Sequence, residues 1–200
     1  MGNWEIKKLG NWELKIAAID FETTGTVPGY ANQPWQIGVV PVVDGMLHGD
    51  KFFTSLINVG PRPFNKHAPG RHAQLRDAIA AAPTMTELFP VLLPMLTGRI
   101  LLAHNAGTER SALAAAAPLH KFGPWLDTLT LSRAAWQGLD SYTLEDLCEC
   151  FGLCPQIENL CPGRGPHDAF YDAAACATLF LHILRQPGWS RLTPEELCAI

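Results

Sequence analysis

Two short apolar runs, separated by helical stretches, constrain the fold of this chain more than any other feature of its sequence. Residues 15–21 read KIAAIDF and lead into a Thr-Thr-Gly turn, which predicts a buried strand that ends at a turn. Residues 99–103, RILLA, predict a second, fully buried strand. Because helical stretches lie between the two runs, we expect both strands to run parallel in one sheet that helices cover.

The remaining segments complete this sheet. Residues 36–43 and 51–57 predict two strands joined through Asp44-Gly45, a dipeptide favoured in tight hairpin turns, and residues 125–127 predict a last short strand. The predicted helices cover residues 72–82, 84–96, 105–117, 129–135, 142–151 and 168–184. Thr84 and Glu87 have the spacing of a capping box. We therefore predict an α/β fold, a mixed sheet with a three-strand meander and further parallel strands, flanked by helices.

Composition excludes several protein classes. A chain of 200 residues with 48% hydrophobic residues and a net charge of −4 predicts one folded domain rather than a disordered segment. Its most apolar stretch, residues 88–96, contains two prolines and is shorter than the roughly 18 residues of a membrane helix. The N-terminus has no apolar signal core, so we expect no membrane contact and a cytoplasmic location. The six cysteines are sparse and are expected to be free thiols.

The first residues contain a near-duplicate, GNWEIK at 2–7 and GNWELK at 10–15. We predict an N-terminal arm over residues 1–14, a domain over residues 15–186 and a short C-terminal tail over residues 187–200. The arm is either dispensable or a docking segment that uses Trp4 and Trp12.

Acidic residues cluster at the predicted strand ends. Asp20 and Glu22 are two apart on the first strand, so they point to the same face, where a divalent cation such as Mg²⁺ or Mn²⁺ would relieve their repulsion. A solvated turn explains the same pair. Glu109 follows the RILLA strand, at the edge of the sheet where ligands collect in α/β proteins, although it also suits an ordinary helix start.

The start of the last predicted helix carries a second acidic group. His167 lies in the preceding loop, Asp168 is placed to cap the helix, and Asp172 lies in its first turns. A helix cap beside an exposed histidine accounts for this segment as well. Asp127 is expected to start a helix and Asp146 to lie on a solvated face. Cys148 and Cys150 lie about 200° apart on a predicted helix, which argues against a zinc site.

Taken together, these segments resemble the DEDDh branch of the DnaQ-like 3′–5′ exonuclease superfamily. Residues 19–25, IDFETTG, are similar to the opening strand of that family, and residues 167–172 match its His-x-Ala-x-x-Asp motif. Weaker similarity covers residues 101–113, WLDTL at 125–129 and SYTL at 141–144. The resemblance extends from Lys15 to about Leu184 and implies a ribonuclease H-like sheet.

The resemblance implies a two-metal hydrolysis of phosphodiester bonds at 3′ ends that releases nucleoside 5′-monophosphates. Asp20, Glu22 and Asp172 would hold one Mg²⁺ or Mn²⁺ ion, and Asp20 would bridge to a second ion whose waters Glu109 orders. His167 would act as the general base, because imidazole titrates near neutral pH. In the family the middle motif usually reads Phe-Asp, whereas this chain has Thr108-Glu109.

Nucleic acid as substrate must be reconciled with the negative net charge. Residues 62–76 contain no acid and four cations, so this segment is either a phosphate-contacting lip or a solvated basic loop. The cations are Arg62, Lys66, Arg71 and Arg76. The residues expected to contact the terminal nucleotide are Phe21, Thr23, Thr24, Gly25, His104 and Asn105.

Three functions remain open from sequence. The first is a 3′–5′ exonuclease on single-stranded or overhanging DNA, in proofreading, repair or end trimming. The second is an exoribonuclease, since the sequence does not reveal how the sugar is read. The third is a binding or assembly module that keeps the fold and little chemistry, which the Glu109 change and the Trp-bearing arm motivate. In each case we expect DNA or RNA 3′ ends as partners, and any polymerase or other DNA-processing partner in trans.

Overall fold

One mixed sheet of six strands forms the centre of the part of the chain that the computed structural model describes, residues 15–47 and 51–200. The duplicated segment at residues 1–14 lies outside these residues. The strands are β1 (Lys15–Thr23), β2 (Pro34–Val43), β3 (Met46–Leu47), β4 (Phe53–Leu56), β5 (Ile100–Ala103) and β6 (Trp125–Asp127).

The strand order is β3-β2-β1-β5-β6, and β4 pairs with another stretch of β2. β1 and β2 are antiparallel, whereas β5 runs parallel to both β1 and β6. The predicted α/β fold, with its meander and its parallel strands, is therefore confirmed.

The predicted hairpin turn at Asp44-Gly45 is present, but the strand that follows it directly is the two-residue β3, which the sequence did not predict. Both turn residues have positive φ, 52° and 73°, as the tight turn requires. β3 pairs with the end of β2 immediately after the turn, and β4 pairs with residues 36–39 near its start. The predicted strand at 51–57 thus corresponds to the shorter β4.

The helices of the described residues pack on both faces of the sheet. They are α1 (Arg76–Ala81), α2 (Met85–Leu96), α3 (Gly107–Ala116), α4 (Thr128–Ala135), α5 (Leu144–Cys150), α6 (Cys154–Leu160), α7 (Ala169–Leu184) and α8 (Pro194–Ala199). α7 is buried along most of its length and covers one face, while α2 and α3 cover the other. Among the described residues, no helix combines the length and the apolar character needed to cross a bilayer.

Three helical segments differ from the sequence-based expectations. α1 begins at Arg76 because residues 71–75 form hydrogen-bonded turns around the buried His72 ring. α6 was not predicted; it has Pro155 in its first turn and buries Ile157. α8 lies within the segment predicted as a short tail, begins with a Thr193–Glu196 capping box and buries Leu197 in the main core.

Candidate active site

The candidate site lies at the carboxyl end of β1, where the sheet opens. β1 pairs with β5 only as far as Ala18, which lies opposite Leu102, but it stays paired with β2 to its end. The last residues of β1 are therefore free on the β5 side, and a cleft of about 430 Å³ opens there. Openings of this kind, beyond the carboxyl ends of strands, are where α/β sheets bind ligands.

The alternation along β1 directs two carboxylates toward α7. Ile16 and Ala18 belong to the core beneath α7, so Asp20 and Glu22 continue the same face of the strand. Asp20 lies opposite Gly38 of β2, and Glu22 lies opposite Gln36. The predicted convergence of the two carboxylates on one face is thus a consequence of strand geometry.

Gly38 allows the first turn of α7 to lie directly on the sheet beside Asp20. A Cβ atom at residue 38 would lie 2.1 Å from the carbonyl oxygen of Ala169, which is closer than any real Cβ contact. The neighbouring Gln36 holds the same turn in place, because its Nε2 donates to Asp168 Oδ2 at 3.0 Å. The small residue and the buried amide together fix where α7 begins.

Asp168 caps α7, as predicted from the sequence. Its Oδ1 accepts from the backbone N–H of Phe170 at 3.1 Å and of Tyr171 at 3.3 Å, and Arg164 forms an ion pair with its carboxylate at 2.8 Å. Asp168 is therefore committed to holding the helix end. This leaves Asp172, one turn later, as the acid of α7 that faces Glu22.

Glu22, His167 and Asp172 form the closest potential ligand cluster among the described residues. One ligand atom from each of the three lies within 4.8 Å of the other two. His167 has a positive φ of 62°, and its backbone N–H donates to Asp172 Oδ2 at 3.0 Å. Its exposed ring stands beside two carboxylates, an arrangement that suits a proton acceptor or a metal ligand.

Gly70 closes the site on the side of the basic segment. Its φ is +87°, and a Cβ there would lie 2.9 Å from the His167 carbonyl oxygen and 3.3 Å from Glu22 Oε2. Residues 65–69 approach the same cleft, and Asn65 is anchored because its backbone N–H donates to the Thr24 carbonyl at 2.8 Å.

Glu109 enters the cleft from α3. It is only 3% exposed, and its Oε2 has no hydrogen-bond partner within the described part of the chain. The start of α3 is fixed by Asp127, whose carboxylate accepts from the backbone N–H groups of Asn105 and Ala106 at 2.9 and 3.0 Å. The same carboxylate accepts from Leu129 and caps α4, which confirms the predicted helix start.

Burial is the largest cause that raises the pKa of all four carboxyl groups, and neighbouring carboxylates add to it. The pKa of Glu22 rises to about 8, first through burial and then through the charges of Asp172 and Asp168. Burial likewise raises the pKa of Glu109 to about 7 and that of Asp172 to about 7. The pKa of Asp20 is raised well above its usual range by burial and by Asp172, Glu109 and Glu22.

These observations fit a divalent metal site. Carboxylate oxygens are the ligands that Mg²⁺ and Mn²⁺ prefer, and a cation among them would reverse the raised pKa values. The buried, unpartnered Oε2 of Glu109 is the kind of polar atom that needs an ion or water partner. Asp20, Glu22, Asp172 and Glu109 are the residues that could hold the ions.

Most of the residues predicted to contact a nucleotide border the same cleft. Phe21, Thr23, Gly25, His104 and Asn105 line it, but Thr24 is 2% exposed and bonds through its hydroxyl to Asn32 Oδ1. The ring of His104 is held between Thr128 Oγ1 and the Tyr142 carbonyl, so it is a fixed wall.

Two of the four cations predicted to contact phosphates are engaged elsewhere. Arg62 donates to the carbonyl oxygens of Val59 and Ala31, and the Arg76 guanidinium lies 4.0 Å from the Phe64 ring centre. Lys66 and Arg71 are exposed, and Lys66 lies between two residues of the cleft lining.

The sequence reasoning missed several residues that shape the site. Asn65, His67, Ala68 and Pro69 line the cleft, yet the segment that contains them was noted for its charge alone. Gln36 and Gly38 lie within an apolar strand and gave no local signal of their contact with α7.

Comparison with protein families identifies a match over most of the chain. The family model described as exonuclease, RNase_T, matches residues 17–180. This range contains Asp20, Glu22, Glu109, His167 and Asp172.

Two curated relatives show how far the similarity extends. A DNA polymerase III subunit epsilon-like protein of Rhodobacter capsulatus is 28% identical over 175 residues, which cover 86% of this chain but 24% of that protein. Exodeoxyribonuclease 10 of Escherichia coli K12 is 27% identical over 185 residues, covering 92% of this chain and 74% of the relative. This chain thus spans about a quarter of the first relative and about three quarters of the second.

Solved structures show the same fold. The structure of Exonuclease X in complex with 5′ overhanging duplex DNA superposes with a TM-score of 0.69 and 27% identity, covering 92% of this chain and 98% of that one. The nuclease domain of 3′hExo, a DEDDh family member bound to rAMP, superposes with a TM-score of 0.68 and 16% identity over 90% of this chain and 96% of that one. At that identity the second likeness concerns the fold alone.

Proposed function

We propose that this chain, which belongs to the exonuclease family, is a metal-dependent 3′–5′ exonuclease that releases nucleoside 5′-monophosphates from DNA ends. The observation that carries the proposal is the approach of four carboxyl groups and one histidine at the end of β1. Asp20, Glu22 and Glu109 line the cleft. His167 and Asp172 each place a ligand atom within 4.8 Å of Glu22. Asp20, Glu22, Glu109, His167 and Asp172 are the catalytic residues of this proposal.

DNA is the favoured substrate because the matches at 27% identity point to it. The curated match carries the name exodeoxyribonuclease 10, and the structural match is of Exonuclease X in complex with DNA. A single-stranded or overhanging 3′ end suits an open cleft at the edge of the sheet, since unstacked bases can rest on apolar and aromatic side chains such as Phe21.

The donor set supports two divalent ions, Mg²⁺ or Mn²⁺. Asp20, Glu22 and Asp172 would hold the first, and Asp20 would also reach the second, which Glu109 would hold through water. When bound, such ions supply Lewis acidity that activates water and stabilises the charge on the phosphate and on the leaving 3′ oxygen.

His167 is the proposed general base. The residue is exposed beside the carboxylates of Glu22 and Asp172, and its backbone N–H donates to Asp172, so the imidazole is positioned without being buried. It would accept the proton of the attacking water, a role that imidazole groups often have in enzymes. Replacing it should reduce turnover far more than metal binding.

The rest of the cleft would position the nucleotide. Phe21, Thr23 and Gly25 would contact the terminal nucleoside, with His104 and Asn105 forming the facing wall. Lys66 and Arg71 are the best candidates for phosphate contacts, because the guanidinium groups of Arg62 and Arg76 already have partners in the protein.

The relatives also suggest a setting for the activity. Several are named as subunits of DNA polymerase III, so we propose a polymerase or another DNA-processing enzyme as a partner in trans. The proposed catalytic domain covers residues 15–186, with the duplicated arm before it.

A time course on 5′-labelled DNA and RNA tests the proposal. Substrates are a 3′-overhang duplex and a matched single-stranded RNA, each incubated with Mg²⁺, Mn²⁺ or EDTA, beside Asp20→Ala. A metal-dependent ladder that shortens from the 3′ end of DNA, absent in the variant, is expected.

Other ladders would change the conclusion. Shortening of RNA but not DNA would make the protein an exoribonuclease. Folded protein that gives no ladder with either metal would favour a binding or assembly module instead.

A further inference from the structure

A second cleft adjoins the catalytic one and plays no part in the chemistry described so far. It has a volume of about 560 Å³ and lies between α3, the loop that precedes β2 and the residues that follow β4. Thr23 and Thr108 line both clefts, so the two spaces are neighbours at the end of β1. A strand whose 3′ end lies in the catalytic cleft has this space immediately beside it.

Small side chains on α3 keep the second cleft open. Gly107, Ser111 and Ala115 follow one another at four-residue intervals along the exposed face of the helix and form one wall. Thr108, the neighbour of Gly107, also lines the cleft with a small side chain. A larger residue at any of these positions would fill the space.

The opposite wall is held in place by Arg62. Its Nη1 donates to the carbonyl oxygen of Ala31 at 2.9 Å, and its Nε donates to that of Val59 at 2.7 Å. Ala31 and Val59 both line the cleft, so one guanidinium ties the loop before β2 to the chain after β4. The cleft is therefore preformed, as ligand pockets usually are.

The chemistry of the lining selects the ligand. Among the described residues, those that line the cleft are all uncharged, so the lining offers no cation for a phosphate group. Ile57, Val59 and Met85 supply apolar surface, while Asn32 and Gln33 supply amide groups. Apolar surface with a few amides suits a neutral, planar ring that carries donors and acceptors at its edge.

We propose that the second cleft binds an unpaired base of the substrate strand, that of the nucleotide next to the one in the catalytic cleft. This inference rests on the proposed exonuclease function and deepens it. The enzyme would then require two unpaired nucleotides at the 3′ end, because a base that is still paired cannot enter the cleft.

Filling the cleft tests the inference. Ser111→Trp and Ala115→Trp place an indole in the space, while Ala114→Trp puts the same ring on an exposed position of α3 outside the lining. Ala115→Leu is a milder replacement if the tryptophan variants fold poorly, which circular dichroism checks. Each variant is assayed with a ten-nucleotide strand of thymidylates and with the p-nitrophenyl ester of thymidine 5′-monophosphate, which has no second base.

The expected result is a KM for the ten-nucleotide strand that rises about ten-fold in the filled variants, because the base loses its contacts with the apolar surface of the cleft. The kcat/KM for the ester should change less than about two-fold, and Ala114→Trp should change neither value. An unchanged KM for the strand would overturn the inference, as would an equal loss on both substrates, which would assign the cleft to the terminal nucleotide.

A binding measurement separates this inference from the proposed function. If the unmodified protein hydrolyses neither substrate, the exonuclease proposal fails, and the affinity for the labelled ten-nucleotide strand in EDTA still decides the second cleft. Affinity about ten-fold weaker in Ala115→Trp than in Ala114→Trp would support base binding there, and equal affinity would overturn it.

Discussion

The four carboxyl groups of the site have raised pKa values for one shared reason. They are buried close together. Among the residues that the structure describes, no lysine or arginine lines their cleft. The protein therefore compensates their charge with protons unless a cation is supplied. A divalent ion would take the place of those protons, which couples metal binding to pH.

This coupling predicts that the metal-free protein loses stability as pH rises from about 4.5 to 8. The pKa of Glu22 is 4.5 before folding and about 8 after it, so in this window the folded state holds a proton that the unfolded chain has released. The free energy of unfolding then falls with increasing pH. Thermal unfolding in EDTA at a series of pH values measures the slope.

Two comparisons sharpen that experiment. Glu22→Gln should flatten the pH dependence, whereas Glu149→Gln, at an exposed position of α5, should leave it unchanged. Adding Mg²⁺ or Mn²⁺ should raise the melting temperature more at pH 8 than at pH 5. A stability that rises with pH across this window would contradict the account.

Glu109 is the acid whose length departs from the pattern described in the sequence analysis, and its longer side chain lies against the end of β1. Hydrogen bonds from the backbone N–H groups of Glu109 and Phe21 oppose part of the burial effect on its pKa, so its carboxylate reaches the free edge of β1. Glu109→Asp would withdraw the carboxylate by about 1.5 Å.

We therefore expect Glu109→Asp to lower kcat by about ten-fold and Glu109→Gln by more, with little change in KM, because small displacements of a catalytic group are costly. Steady-state kinetics in Mg²⁺ on single-stranded DNA measure both variants. A faster Glu109→Asp enzyme would mean instead that the native glutamate impairs the site.

At the scale of whole elements, the site depends on where α7 and α3 begin. Asp127 fixes the start of α3 and of α4 with one carboxylate, while Gly38 and Gln36 fix the start of α7. α3 then brings Glu109 into the cleft, and α7 brings Asp172 beside Glu22. The positions of Asp172 and Glu109 are therefore set by contacts between elements rather than by their own surroundings.

Gly38→Ala should displace α7 and disable the site. The added Cβ would meet the backbone of Ala169 and Phe170, which cannot move without shifting the first turn of the helix. We expect a loss of about 2–3 kcal/mol in the free energy of unfolding, typical of overpacking, and a drop in kcat because Asp172 moves away from Asp20. Urea unfolding and kinetics at low temperature, where the variant stays folded, measure the two effects.

Gly165→Ala is the matched control for this substitution. A Cβ at residue 165 meets open space, so its stability should change by less than about 0.5 kcal/mol, with activity retained. A Gly38→Ala enzyme with unchanged kcat would show that the close approach of α7 is not needed for activity.

The difference between local sequence patterns and contacts between distant elements explains what the sequence could predict. The strands, the turn at Asp44-Gly45 and the caps at Thr84 and Asp168 follow from local pattern, and the structure confirms them. The close packing of Gly38 against α7 joins residues more than a hundred positions apart, and no local pattern records it. The short strand β3, which the sequence did not predict, and the shortening of the strand predicted at 51–57 to β4 likewise depend on how the two strands share β2.

At the scale of the whole molecule, the negative net charge and the use of the arginines limit how strongly nucleic acid can bind. The net charge is −4. Several guanidinium groups are engaged within the protein: Arg62 with backbone carbonyls, Arg164 with Asp168, and others against aromatic rings, namely Arg76 on Phe64, Arg110 on Trp125 and Arg133 on Tyr142. Few cations remain near the site to neutralise phosphates, so contacts with the bases must supply much of the affinity.

This balance predicts a weak dependence of KM on salt. If Lys66 and Arg71 each neutralise one phosphate of a single strand, the logarithm of KM should rise with the logarithm of salt concentration with a slope of about 1.4, twice the 0.7 expected per contact. Lys66→Ala or Arg71→Ala should each halve that slope, because each removes one contact. The slopes are obtained from KM for the ten-nucleotide strand, measured between 50 and 300 mM NaCl at constant Mg²⁺. The control is Lys121→Ala, which should leave the slope unchanged because Lys121 lies before β6, at the opposite end of the sheet. Equal slopes in all four proteins would show that neither Lys66 nor Arg71 contacts the strand, and the segment at 62–76 would then be a solvated basic loop.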